Sequence, residues 1–316
     1  MNQQATLLRQ VRLALQNEDH ASAIQALSAL ITLAAESQDH AALARHRGNL
    51  ALIYHRQGNS ELALEQLNMA IADARAEQDP ALESGLLGNV GNILREMGRY
   101  EDGIQHLQAA LALAVDSGDQ RGRGIWLGNL ALVYDDMHQP AQAIPFHEQS
   151  IVVARELRDL RGLATRLGHL ANSQMAFGDQ PSALIHLQEA VMIYRDLGDK
   201  ANLARQLATI GNLYVLLGQR TSTRSGMVYC YNRAVDHYRQ SLTAAYDVSD
   251  MVMQADVLRS LGIVFYYMED YDQAINHLDT AYQMFSGLGI EAPLSELQAA
   301  VQQAHQARYA QSMAAV

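Results

Sequence analysis

Leu127-Gly128-Asn129-Leu130-Ala131-Leu132-Val133-Tyr134 returns along the chain at a fixed interval, and its reading decides the fold. A shift of 40 residues brings Gly48-Asn49-Leu50-Ala51, Gly88-Asn89-Val90-Gly91, Gly128-Asn129-Leu130-Ala131, Gly168-His169-Leu170-Ala171 and Ala208-Thr209-Ile210-Gly211 into register. Gly58, Gly98, His138, Gly178 and Gly218 keep the same step. A period between ~20 and ~50 residues marks a solenoid, in which each unit buries its apolar face against its neighbours.

Within each period the apolar residues fall at helical spacing. Leu50, Ala51 and Tyr54 form one stripe, and Ala63, Leu64, Leu67, Ala70 and Ile71 form the next. Two antiparallel helices per period follow. Gly58-Asn59, Gly98-Arg99 and Gly178-Asp179 supply the left-handed turn that ends a helix tightly. Pro80, Pro140 and Pro181 stand at helix starts, where a missing N–H costs nothing, whereas Pro145 is expected to bend or fray the first turn of its helix. The repeats are predicted at about 3–37, 42–77, 82–117, 122–157, 162–197, 202–248 and 253–288, with a capping helix at about 291–311.

Gly211 matches Gly262 at a step of 51, so 11 extra residues fall between the helices of the sixth repeat, within Gln219–Asn232. The polar part, Arg220 to Ser225, is predicted as an exposed loop, and the rest as an extension of the following helix by two turns. Deleting such a loop is expected to leave stability nearly unchanged.

At 316 residues, length alone suggests about two domains, but an array can run this long as one, so residues 1–316 are expected to form a single domain. The 49% hydrophobic and 18% charged residues give ample material for a core. A net charge of -11 repels phosphate backbones and argues against a nucleic-acid partner. Cys230 is the only cysteine, so no intrachain disulfide can form; with no apolar run of ~20 residues, the expectation is a cytoplasmic protein with no membrane partner.

The pattern small-x-x-Leu-Gly/Ala-x-x-Tyr, then a turn glycine, then alanine five residues on, resembles the tetratricopeptide repeat over essentially the whole chain. The 40-residue period, with Gly-Asn-Leu helices and Gly-Asp links, is similar to the subgroup in Pins-type polarity adaptors, kinesin light chains and bacterial regulators. The resemblance implies an all-α, right-handed α-solenoid whose first helices line a concave groove that receives an extended peptide. It also implies that the residues two before and one after the Ala51-type position face that groove. These are Asn49, Asn89, Asn129, His169 and Thr209 in one set, and Leu52, Asn92, Leu132, Asn172 and Asn212 in the other.

Asparagine suits such a site because its amide offers two donors and an acceptor, matching a peptide backbone whatever its sequence. The competing reading is that Asn49, Asn89 and Asn129 bond neighbouring helices within the array. Arg9, Arg12, Arg45, Arg95, Arg205 and Arg259 fall on the same helices and, by register, on the same face. Such a stripe would select acidic side chains or a free carboxylate, unless the arginines pair with Glu96, Asp135, Asp136 or Asp256.

No metal, cofactor or catalytic residue is predicted. His106, His186, His237 and His277 recur in successive second helices, a helix spacing of ~8–10 Å apart, too far to converge on one ion, so they read as a packing position. Asp135-Asp136 and His138 could hold a cation only weakly, and Cys230 lacks a basic neighbour in sequence. No convergent acid, base and nucleophile can be assembled. The function expected is a non-enzymatic adaptor or scaffold binding an extended, acidic segment of a protein partner. The alternative is a peptide- or small-molecule-responsive sensor within a larger signalling system, an idea disfavoured by the lack of an effector domain. The terminal helices offer a surface for self-association.

Overall fold

A computed structural model describes residues 3–314. Fifteen helices follow one another among the described residues: α1 Gln3–Gln16, α2 His20–Glu36, α3 His40–Arg56, α4 Ser60–Ala76, α5 Pro80–Glu96, α6 Tyr100–Asp116, α7 Gln120–Asp136, α8 Pro140–Glu156, α9 Leu160–Phe177, α10 Gln180–Asp196, α11 Lys200–Arg220, α12 Arg224–Asp247, α13 Met251–Tyr267, α14 Tyr271–Gly287 and α15 Leu294–Ala314. No strand occurs among the described residues. The chain is an all-α repeat solenoid of paired helices, and it divides into two compact units, Met1–Arg158 and Asp159–Val316.

From α2 to α8 every helix has 17 residues and is followed by a three-residue link. The link chemistry explains the regularity. Glu18, Gln38, Gly58, Gln78, Gly98, Gly118, His138, Arg158, Gly178 and Gly198, one residue in every 20, take a left-handed backbone. That conformation lets the next N–H reach back five residues, as from Asn59 to the Tyr54 carbonyl at 2.9 Å and from Arg99 to Leu94 at 2.8 Å. Immediately before the first helices α3, α5, α7, α9, α11 and α13 the cap is an aspartate: Asp39, Asp79, Asp119, Asp159, Asp199 and Asp250 accept the N–H three residues on. α8 runs unbroken through exposed Pro145, so no first turn is lost there.

In unit 1 the core repeats with the sequence. Ala51, Gly91 and Ala131 of the first helices are buried, as are Leu67 and Leu107 of the second. Each buried leucine contributes roughly 1.5–3 kcal/mol. A Cβ at Gly91 would stand 2.6 Å from Leu107 Cγ, so the helices of that pair touch through backbone. Trp126 of α7 lies against Gly88 of α5, where a Cβ would be 2.1 Å from its ring. Its Nε1 donates to Ser84 Oγ at 2.9 Å, and that hydroxyl donates to the Ala110 carbonyl at 2.8 Å, so three helices share one buried polar chain. His147 occupies the core position of Leu67 and Leu107, fully buried, and its Nε2 donates to Asp135 Oδ2 at 2.8 Å.

Unit 2 departs from the rule at the insertion. α11 has 21 residues and α12 has 24, four and seven more than 17, which accounts for the 11 extra residues. The link, Thr221-Ser222-Thr223, is again three residues long. The loop predicted at Arg220–Ser225 is therefore corrected: Arg220 closes α11, and Arg224 and Ser225 open α12 behind the cap of Thr223. The added turns pack. Tyr231 is buried with its ring against Gly218, where a Cβ would be 2.5 Å away, and Met227 joins the same core. Cys230 is buried beside it, not exposed. With the Gln180 amide turned so that its nitrogen donates to the Gly178 carbonyl, its oxygen accepts from Arg220 at 2.7 Å, tying the longer α11 to the start of α10.

Candidate functional site

On α3, α5 and α7 the residues at i, i+4 and i+7 share one helix face, and the successive first helices touch. That face in unit 1 reads Arg45, Asn49 and Leu52 on α3; Gly85, Asn89 and Asn92 on α5; Ile125, Asn129 and Leu132 on α7. By the same register α1 adds Arg9 and Arg12. Asn49 is exposed and Asn89, Asn92 and Asn129 are half-buried, yet among the described residues none of these four amides bonds to the rest of the chain. The internal-bonding reading thus finds no partner for them.

Unit 2 carries the equivalent positions on α9, α11 and α13, and there most polar groups are engaged. Tyr238 donates to Asn212 Oδ1 at 2.6 Å, Thr165 and Tyr194 hydroxyls meet at 2.8 Å, and Thr209 and Ser260 donate to their own helices. Asn172 is exposed without a bond of its own among the described residues.

The arginines do not share one role. Arg9, Arg12 and Arg45 are exposed and make no ion pair among the described residues. Arg95, half-buried, pairs with Asp136 at 3.2 Å, and His55 pairs with Glu96 at 2.9 Å, so each pair bridges consecutive first helices. Arg205 donates to Asn202 at 3.0 Å. Arg259 pairs with Asp256 at 2.9 Å and stands at the register of Gly48, Gly88 and Gly168. Asp135 and Asp136 are bound to His147 and Arg95 respectively, and so point to different partners.

Second-helix rings pack on first-helix rings at a constant register: Phe146 on Tyr134 at 5.5 Å, His237 on Tyr214 at 5.6 Å and His277 on Phe265 at 5.4 Å between centroids. His186 instead bonds Gln174 at 2.8 Å, and His106 donates to the Asp102 carbonyl of its own helix. Burial pushes His237 below the ordinary imidazole range, helped by Arg233 and opposed by Asp236; burial and Arg239 do the same to His277 against Asp270. Among the described residues no group of three or more His, Cys, Asp or Glu is placed to hold a metal ion, and no helix is long and apolar enough to cross a membrane.

Residues missed by the sequence reading are Gly85 and Ile125. Both could have been found by counting four residues back from Asn89 and Asn129.

Residues 82–156 match the tetratricopeptide repeat family, and residues 1–47 and 164–215 match the family of anaphase-promoting complex subunit 5. No curated protein matches the sequence. Among solved structures, the apo form of RapI aligns over 97% of this chain and 97% of its own, with 13% identity and a TM-score of 0.63. A signal transduction ATPase with numerous domains and a tetratricopeptide repeat sensor, from Pyrococcus horikoshii, aligns over 100% of this chain and 54% of its own, with 12% identity and a TM-score of 0.66. A Rap protein complexed with competence and sporulation factor aligns over 96% and 97%, with 14% identity and a TM-score of 0.55. At these identities the likeness is one of fold.

Proposed function

Because the chain is a tetratricopeptide-repeat protein, we propose that it is a non-enzymatic adaptor that holds an extended segment of a protein partner along the first-helix face of unit 1. The observation that carries this reading is the set of unbonded amides at Asn49, Asn89, Asn92 and Asn129. Four carboxamides on adjacent helices, none engaged among the described residues, offer donors and acceptors to a backbone whose own groups need partners. Successive first helices stand ~10 Å apart, and an extended chain advances ~3.3 Å per residue. Each repeat would then meet about three residues of the ligand, so one asparagine per repeat suffices to hold the strand. Within unit 2, Asn172 offers the same chemistry, while Asn212, engaged by Tyr238, would need that hydroxyl to yield. Of the arginines, Arg45 is free to choose acidic side chains, whereas Arg95, Arg205 and Arg259 already have partners. The solved Rap protein complexed with competence and sporulation factor is an example of this fold holding a separate factor. A buried lone cysteine suits the cytoplasm expected from the sequence.

The test is selection of ligands from a random 12-residue peptide library on the full chain, followed by titration of the selected peptides into wild type and into a variant with alanine at Asn49, Asn89, Asn92 and Asn129. Affinity should fall for every peptide alike, by about 0.5–1.5 kcal/mol per hydrogen bond lost. Unchanged affinity would show that the partner binds elsewhere.

A further inference from the structure

Resting on that groove reading, we propose that unit 1 reads its ligand with a fixed polarity: acidic side chains over α1 and α3, a bulky side chain over α5, and an aliphatic side chain over α7. Three observations converge on it. Arg9, Arg12 and Arg45 are exposed on the face and free of ion pairs among the described residues, in a chain with 34 acidic against 23 basic residues. Neither α1 nor α3 contains an Asp or Glu, and on the first helices that follow Glu96 is engaged by His55 and Asp136 by Arg95. That end of the face therefore complements a negatively charged partner.

Gly85 is the second observation. A glycine inside a helix is destabilising relative to alanine, and the neighbours on α5 have a reason to be glycine: a Cβ would meet Trp126 at 2.1 Å from Gly88 and Leu107 at 2.6 Å from Gly91. A Cβ on Gly85 would meet nothing within 4 Å. Packing does not require this glycine, yet it stands between Arg45 and Ile125 in the register of the face and leaves a notch open there.

Third, the α7 end is aliphatic. Ile125 is 39% exposed, and Leu132 lies half-buried beside it, with neutral Asn129 between them along the helix. From α3 to α7 is two repeats, ~20 Å, or about six residues of extended chain. The ligand class is thus an extended peptide segment with Asp or Glu and, about six residues away, Leu, Ile or Val, with a large side chain midway.

Sequencing the peptides retained from the 12-residue library tests this. Expected are retained peptides that share an acid and an aliphatic residue about six apart. Re-selection on Arg45→Glu should lose the acid and keep the aliphatic residue. Gly85→Leu should weaken the retained peptides roughly tenfold with no loss of melting temperature, and Gly85→Ala should weaken them less while raising it. Retained peptides without common spacing, yet weakened by the asparagine-to-alanine variant, would overturn the polarity and leave the groove reading standing. Peptides indifferent to both sets of variants, or no retained peptide at all, would overturn both. Full affinity in Gly85→Leu would overturn the notch.

Discussion

The two units use one helical grammar and put different chemistry at the same positions. In unit 1, His55–Glu96 and Arg95–Asp136 join consecutive first helices by charge. Their counterparts in unit 2 are Met175, Ala176, Val215, Leu216, Tyr266 and Tyr267, and there Tyr231 stacks on Tyr267 at 5.8 Å while Tyr266 meets Tyr267 and Tyr271 edge-on. Unit 1 keeps Asn49, Asn89, Asn92 and Asn129 unbonded among the described residues and α2 to α8 at 17 residues; unit 2 engages Asn212 and lengthens two helices. Contacts that join helices can thus be ionic or aromatic without changing the stack. What changes is which polar groups on the first-helix face stay unbonded among the described residues.

The largest test of this contrast removes the ring that anchors the extension. Tyr231→Ala should cost about 3 kcal/mol or more in chemical denaturation, because it empties the space over Gly218 and breaks the stack on Tyr267. A loss under about 0.5 kcal/mol, typical of surface sites, would make the extension an ornament and erase the difference between the units.

Acid provides a second, smaller separation. His237 and His277 have folded-state values lowered by burial, so the neutral imidazole is favoured in the fold. Their contribution is fully present above the ordinary value of 6.5 and is lost as pH falls through the lowered folded values. Melting temperature should therefore decline below that pH, and the double variant His237→Phe/His277→Phe should flatten the decline, since Phe146 already fills the equivalent place on Tyr134. Unit 1 contributes His46, lowered chiefly by burial, which leaves a residual slope. An unchanged profile in the double variant would assign acid sensitivity to unit 1.

The smallest effect should be common to both units. Gln78 and Glu269 hold left-handed backbone at φ 56° and 63° without being glycine. Gln78→Gly and Glu269→Gly should each raise stability by about 0.5–1 kcal/mol, part of the ~1–2 kcal/mol that an L-residue loses there. A gain at one site only would show that the link geometry is not shared.

Much of this was legible in the sequence because the 20-residue half-repeat is written in residues with local meaning. Glycines and aspartates at a constant step announce where each helix stops and starts, and Ala51, Gly91 and Ala131 announce close contact. The first part of the insertion was misread because Thr-Ser-Thr-Arg-Ser has the composition of a loop, whereas the two-turn extension expected of the rest is present in α12. Met227, Tyr231, Ala234 and Tyr238, at i, i+4, i+7 and i+11, carried the helical stripe that overrode it. The asparagine positions followed from register alone. Asp136 and Asp256 were among the alternative partners for the arginines, but which arginine each takes was not legible: Asp136 is 41 residues from Arg95, and only the stacking of α5 on α7 brings them together.

The four residues added to α11 and the seven added to α12 are about one and two turns of 3.6 residues. Each helix therefore grew without rotating the stripe that faces its partner, and the link kept its length. Helix geometry then makes length variation at such a hairpin tip a quantised quantity: gains near four or seven residues preserve phase, while gains of two or five would turn the added apolar side chains away from the partner helix. Tips of such arrays should accumulate indels in those sizes, which makes gap length in an alignment a readout of whether the inserted segment is helix or loop.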